Sequence, residues 1–223
     1  MEFRAYPDRE MMFMDLADQL ASELGNCLRT HEHASFCVPG GSTPGPIFDV
    51  LSEVSLDWRR VHVFLNDERW VPESSDRSNT ALLRRRLLTG RAAAATLVPM
   101  VSDATEPEDA LDELAAGFAG ELPISVLLLG MGANMHTASL FPGADRLADA
   151  LAHDAPTLMA MRAPGAPEPR VTLTAPVLDG AMSKHIVITG AEKREAVERA
   201  RGLPREEAPV TAVWNGAVVH WAE

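Results

Sequence analysis

Cysteine is scarce in this chain. Cys27 and Cys37 are the only two, with no metal-ligand spacing and no disulfide-rich pattern, so a thiolate metal cluster and a disulfide-stapled fold are both excluded. Basic residues are also in deficit: 20 Lys and Arg against 32 Asp and Glu give a formal net charge of -12. A nucleic-acid or anionic-membrane surface requires the opposite balance, so neither partner is expected. A few arginines in a cleft can still reverse the local potential, which leaves an anionic small molecule open as a ligand. No apolar run approaches the ~20 residues of a membrane-spanning helix. The segment from Met1 to Tyr6 lacks the basic and apolar regions of a secretory signal, and a cytoplasmic location is the expectation.

What is present is the composition of an ordinary globule. Hydrophobic residues make up 46% and charged residues 23% of the 223, enough for one substantial core. Met12, Leu16, Leu20 and Leu24 recur at helical spacing and predict a helix from about Arg9 to Thr30. Strands are predicted at 34–38, 61–65, 97–98, 124–129, 157–161, 170–173, 185–189 and 210–214. Helices are predicted at 44–51, with Thr43 as N-cap, and at 78–88, 108–119 and 192–201. Strands alternating with helices imply right-handed crossovers. The expected fold is a Rossmann-like α/β domain over residues 1–223, with a mostly parallel sheet and helices on both faces. The loop 162–170 is too short, and too closely followed by strand signals, to be a domain linker.

Three loops that follow apolar runs carry the polar chemistry, and in a parallel sheet such loops gather at one edge, where ligands bind. Gly40, Gly41, Ser42 and Thr43 lie between a strand and a helix. That arrangement makes a phosphate or carboxylate seat from backbone N–H groups, hydroxyls and a helix start, or else a tight turn with a cap. Asp67 and Arg69, two apart in an extended segment, point the same way, with Glu68 facing elsewhere; the competing reading is a surface ion pair. His136 follows Gly130, Met131 and Gly132, placed where a helix could begin, as either a proton-transfer group or a packed histidine. The third glycine of a dinucleotide fingerprint is missing, so no nicotinamide cofactor is expected. Arg170 opens a strand after a proline-rich loop, and Lys193 starts a helix; taken alone, each reads as a solvated cation. His31 and His33 read as surface residues without nearby carboxylates, and no metal site is expected.

Taken together, Gly40 to Pro44, Asp67 to Pro72 with Ser78 and Asn79, His136 to Pro142, and Pro169 to Leu173 resemble the 6-phosphogluconolactonase family in order and spacing along nearly the whole chain. The resemblance implies a sheet shared with glucosamine-6-phosphate deaminases. It implies hydrolysis of a phosphorylated sugar lactone, 6-phospho-D-glucono-1,5-lactone, in the pentose phosphate pathway, with neither a metal nor an organic cofactor. By position, His136 would be the general base, and Asp67 and Arg69 would orient water or sugar hydroxyls. The glycine loop with Ser42, Thr43 and Arg170 would hold the phosphate, and Lys193 would add to it.

The chain departs from the family loop Gly-x-Gly-x-Asp-Gly-His at two positions, where Asn134 and Met135 replace Asp and Gly. Met135 implies a turn that needs no left-handed backbone, since strain of order 1–3 kcal/mol would otherwise be stored there. Asn134, a neutral amide, opens the alternative of a sugar-phosphate-binding homologue with reduced or lost catalysis. An isomerase or deaminase on the same scaffold is a further alternative, disfavoured because the deaminase pattern after the histidine reads Ile-Ala-Phe-Asn-Glu-Pro. Ser139 lacks a nucleophile elbow and is expected on a helix following His136.

Overall fold

The structure is a computed structural model describing residues 1–223. It is built on a seven-stranded, wholly parallel sheet flanked by helices. In chain order the strands of this sheet and the adjoining helices are β1 (Glu2–Ala5), α1 (Arg9–Leu28), β2 (Ala34–Val38), α2 (Gly45–Glu53) and β3 (Val61–Leu65). After β4 (Asp67–Arg69) come α3 (Asn79–Arg86), β5 (Thr96–Leu97), α4 (Leu111–Ala116), β6 (Val126–Gly130) and α5 (Leu147–Leu151). The chain ends with β7 (Leu158–Met161), β8 (Arg170–Leu173), α6 (Ala175–Asp179), β9 (Ser183–Thr189), α7 (Ala191–Ala200) and β10 (Val218–Ala222). The main sheet has the order β1-β10-β9-β6-β2-β3-β5.

Helix α1 forms for the reasons its sequence gives. Asp8 caps it by accepting a 2.8 Å hydrogen bond from the Met11 N–H, and Met12, Leu16, Leu20, Leu24 and Leu28 bury one stripe. Strand β2 is buried along its whole length, as its unbroken apolar run requires of a central parallel strand. One cluster of 57 buried residues joins the helices to the sheets.

The order of the strands determines where a ligand can bind. From β2 the chain adds β3 and then β5 on one side; it then crosses back to place β6 on the other side of β2, followed by β9 and β10. The direction of winding reverses between β2 and β6, and such a reversal leaves a crevice at the carboxyl ends of the strands.

Several expectations are corrected. Strands β4, β8 and β7 form a separate three-stranded antiparallel sheet, so Asp67 to Arg69 is a strand and not a loop. Residues 210–214 are no strand. Pro209 opens a 3₁₀ turn over Pro209–Val213, and the Val210 N–H bonds to the Met135 carbonyl instead of a ladder partner. The last strand is β10. Thr43 does not cap α2; Pro44 holds that position with no side-chain cap. The predicted helix at 108–119 is a 3₁₀ turn over Pro107–Ala110 followed by the short α4. No helix begins at His136, because Met135 (φ 65°) and Ala138 (φ 48°) are both left-handed, which an α-helix cannot accommodate.

Candidate active site

The crevice at the switch point is a cleft of about 270 Å³. Each of four adjacent strands delivers one part of its wall. The segment after β2 brings Gly40, Gly41, Ser42 and Thr43, and β3 leads into Asn66 and then Asp67 and Arg69 on β4. The segment after β6 brings Gly132 and His136, and β9 leads through Gly190 (φ 86°) to Lys193 on α7. Arg170 enters from β8. The imidazole and the glycine loop therefore share one cleft, although their residues lie far apart in the chain.

The His136 loop is closed on itself: the Gly132 N–H donates to the His136 carbonyl at 3.0 Å and the Met135 N–H to the Gly132 carbonyl at 2.9 Å. Met135 is left-handed, contrary to the sequence expectation. Its side chain packs against the core and its carbonyl accepts the Val210 N–H, which offsets strain of order 1–3 kcal/mol. Gly132 is required for a different reason. A Cβ there would stand 2.2 Å from the His136 ring, so the imidazole rests directly on the backbone.

Asn134 fixes the histidine. Its side-chain oxygen lies 2.5 Å from His136 Nδ1, and an amide oxygen only accepts, so Nδ1 carries the proton and Nε2 keeps its lone pair. The ring stacks on Phe141 at 4.1 Å, and Phe141 also carries the Arg170 guanidinium 5.5 Å from its centroid. Burial, with the nearby positive charges of Arg170 and Lys193, lowers the His136 pKa to about 4. The imidazole is uncharged at neutral pH.

Asp67 and Arg69 both line the cleft, as their alternation predicts. Asp67 Oδ2 accepts from the Ser139 hydroxyl at 2.6 Å and lies 3.5 Å from Arg170 Nη1. Burial pushes this carboxyl above the usual carboxylate range, opposed by Ser139 and the two arginines. Ser139 is fully buried and holds Asp67 from a turn, not a helix. Arg69 Nη1 donates to Asn79 Oδ1 at 2.9 Å and to the Arg77 carbonyl. The Nε–H groups of Arg69 and Arg170 are buried without a protein partner. Lys193 is half-buried at the rim, and desolvation lowers its pKa.

Glu68, Asn79, Ser139 and Phe141 escape a reading of spacing alone. Glu68 is fully buried and accepts from the backbone N–H groups of Asn79 (2.9 Å) and Thr80 (2.7 Å) at the start of α3, and from the Arg69 N–H at 2.7 Å. Asn79 lies so close to Gly40 that a Cβ there would meet it at 2.1 Å. A buried strand followed at once by three charges was the available signal for Glu68; the other three are brought in by tertiary structure.

A cationic cleft around an uncharged imidazole, at the switch point of a parallel sheet, defines an α/β protein built to take a small anionic molecule. The family described as glucosamine-6-phosphate isomerases/6-phosphogluconolactonase matches residues 7–221, and the chain belongs to that family. It is 40% identical to the 6-phosphogluconolactonase of Rhizobium meliloti (strain 1021), with 93% of this chain and 92% of that one covered. It is 39% identical to that of Mesorhizobium japonicum, covering 99% and 94%. The crystal structure of a 6-phosphogluconolactonase from Shewanella baltica OS155 superposes with a TM-score of 0.96 at 30% identity, covering 100% and 98%.

Proposed function

We propose that this protein hydrolyses 6-phospho-D-glucono-1,5-lactone to 6-phospho-D-gluconate, the lactone-opening step of the oxidative pentose phosphate pathway. Relatives named for this activity along nearly the whole chain support the reading. The observation that carries its mechanism is the His136–Asn134 pair, which leaves a neutral Nε2 inside a cleft with two arginines, each holding an unpaired N–H.

A δ-lactone is an activated ester and needs no covalent nucleophile, only a placed water and a base. His136 Nε2 takes a proton as the water oxygen bonds to the lactone carbonyl carbon. The resulting imidazolium returns that proton to the ring oxygen as the carbon–oxygen ring bond breaks, and the acid product ionises. Arg69, Arg170, Lys193 and the 40–43 loop hold the phosphate, and the sugar carbonyl is thereby carried to the imidazole. Asp67, with Oδ2 engaged by Ser139 and Arg170, sets the guanidinium in place. The chain acts as one domain over residues 1–223 in this scheme. Asn134, with its oxygen against Nδ1, favours the base-competent tautomer, which supports catalysis over binding alone.

A coupled lactonase assay on the purified protein tests the proposal. His136→Ala is expected to lose on the order of 10²–10⁴ in rate while 6-phosphogluconate still binds. Equal rates for variant and parent would remove His136 from the mechanism, and ammonia release from glucosamine 6-phosphate would restore the deaminase alternative.

A further inference from the structure

A second cluster of ligating side chains lies at the other end of the sheet. His33, in the segment leading into β2, His62, near the start of β3, and Glu121, ahead of β6, bring one donor atom each to within 4.8 Å of one another. Glu32, between His31 and His33, is exposed, and the carboxylate that meets His33 is Glu121, brought in by folding. His62 Nδ1 lies 2.7 Å from Glu121 Oε1, and His33 Nε2 lies 3.4 Å from Oε2. The two imidazoles stack with centroids 4.4 Å apart.

Two features distinguish this cluster from a surface ion pair. Glu121 is buried, and its Oε2 has no hydrogen-bond partner, a costly state for a carboxylate oxygen unless a cation completes it. The ligands are also held in place. Arg60 pins the segment before His33 by donating to the carbonyls of Leu28 (2.9 Å), His31 (2.6 Å) and Glu32 (2.7 Å), while β3 carries His62 between β2 and β5. Both imidazoles remain partly exposed, which leaves an entry path.

We propose that His33, His62 and Glu121 form a zinc site with an open fourth position. Two imidazoles and one carboxylate are a donor set that suits Zn²⁺, whose ligands at about 2.0–2.1 Å stand ~3.4 Å apart in a tetrahedron. The two imidazoles face different oxygens of Glu121, His62 Nδ1 facing Oε1 and His33 Nε2 facing Oε2, so the metal takes one of these oxygens, displaces the shared proton and draws His33 Nε2 from its 3.1 Å contact with the Gly120 carbonyl. The ion ties the ends of α1 and α4 to the amino edge of the sheet. Because the cleft lies at the carboxyl edge, roughly three residues of β3 or ~10 Å further along, the site is structural and not part of the hydrolysis.

The test is calorimetric titration of the chelator-stripped full chain with zinc chloride, with thermal unfolding alongside. The parent is expected to bind one zinc per chain, with Tm raised about 5–10 °C at a zinc concentration ~100 times Kd. Glu121→Gln and His62→Gln are expected to weaken binding at least 100-fold and abolish the shift, while His136→Gln binds as the parent does. His33→Ala, a half-exposed position that folding tolerates, gives the same loss and decides the matter if the buried variants fail to fold. No saturable binding overturns the proposal, as does binding that survives His33→Ala or is abolished by His136→Gln.

Discussion

Arg69 and Arg170 are direct partners across the antiparallel β4–β8 ladder, so two guanidiniums face each other on the wall of the cleft. Like charges opposed in a sheet are unfavourable unless something neutralises them. Asp67 serves Arg170 and Asn79 serves Arg69, yet an Nε–H of each remains free. A phosphate bound as proposed would neutralise the pair. Arg170→Gln is therefore expected to weaken 6-phosphogluconate binding about 10–150-fold, the loss of one charged hydrogen bond worth ~1.5–3 kcal/mol. Calorimetry checks this, and unchanged affinity would place the phosphate elsewhere.

Burial, and after it the cations Arg170 and Lys193, lower the pKa of His136, the proposed base. With His136 lowered to about 4 in the free protein, the acid limb of kcat/KM is expected near pH 4, and activity falls as pH drops through it. A phosphate beside Arg170 and Lys193 cancels the charges that lower this pKa. The acid limb of kcat, which reports the substrate complex, is expected at higher pH than that of kcat/KM. Coincident limbs in a pH–rate study would separate the phosphate from these two residues.

Asn134→Asp places a carboxylate against Nδ1, stabilises the imidazolium and raises the His136 pKa. A base with a pKa near 4 accepts a proton weakly, so the rate at neutral pH is expected to equal or exceed that of the parent, with the acid limb of kcat/KM moved upward. A tenfold slower variant would show that the amide has a role the carboxylate cannot fill.

Glu68 is a buried carboxylate answered by backbone N–H groups at the start of α3. Glu68→Gln turns an amide NH₂ toward those donors and is expected to cost about 2–3 kcal/mol in chemical denaturation. KM is expected to rise as well, because the Arg69 N–H and Asn79 hang from the same oxygen.

A hydrogen-bonded chain running inward from half-buried Tyr6 to buried His220 and His185 makes stability depend on pH. Tyr6 Oη lies 2.8 Å from His220 Nδ1, and His220 Nε2 lies 3.0 Å from His185 Nδ1. Burial, together with His185 and Arg4, lowers the His220 pKa to about 3. The unfolded chain binds that proton near pH 6.5 and the folded chain only near 3. Stability from this source is present above about 6.5 and lost as pH falls toward 3. Thermal unfolding across this window is expected to show the loss in the parent and less of it in His220→Gln.

The periodic parts of the chain were legible in its sequence. The stripe of Met12, Leu16, Leu20 and Leu24 marks α1 within two residues at its end, and the apolar runs at 34–38 and 61–65 coincide with β2 and β3. The three segments after apolar runs do converge on one cleft, two as loops and Asp67 to Arg69 as strand β4, because parallel strands place their carboxyl ends together. What could not be read was long-range pairing. β4 is only three residues long and is a strand because β8, a hundred residues later, pairs with it. The left-handed backbone of Met135 is stabilised by the Val210 N–H and by core packing, neither of which a local rule contains. For the same reason, the carboxylate that faces His33 is Glu121, far along the chain, and not the adjacent Glu32.

The His136 ring follows a strand of the large sheet, whereas Arg69 and Arg170 ride on the small antiparallel one. Ligand choice and turnover are thus linked through one ring: replacements at the seam between β8 and β7 that tilt Arg170 also change the charge and the Phe141 platform beside the imidazole, which stays seated on Gly132. Divergence toward other phosphorylated sugars on this architecture therefore alters the chemical step as well.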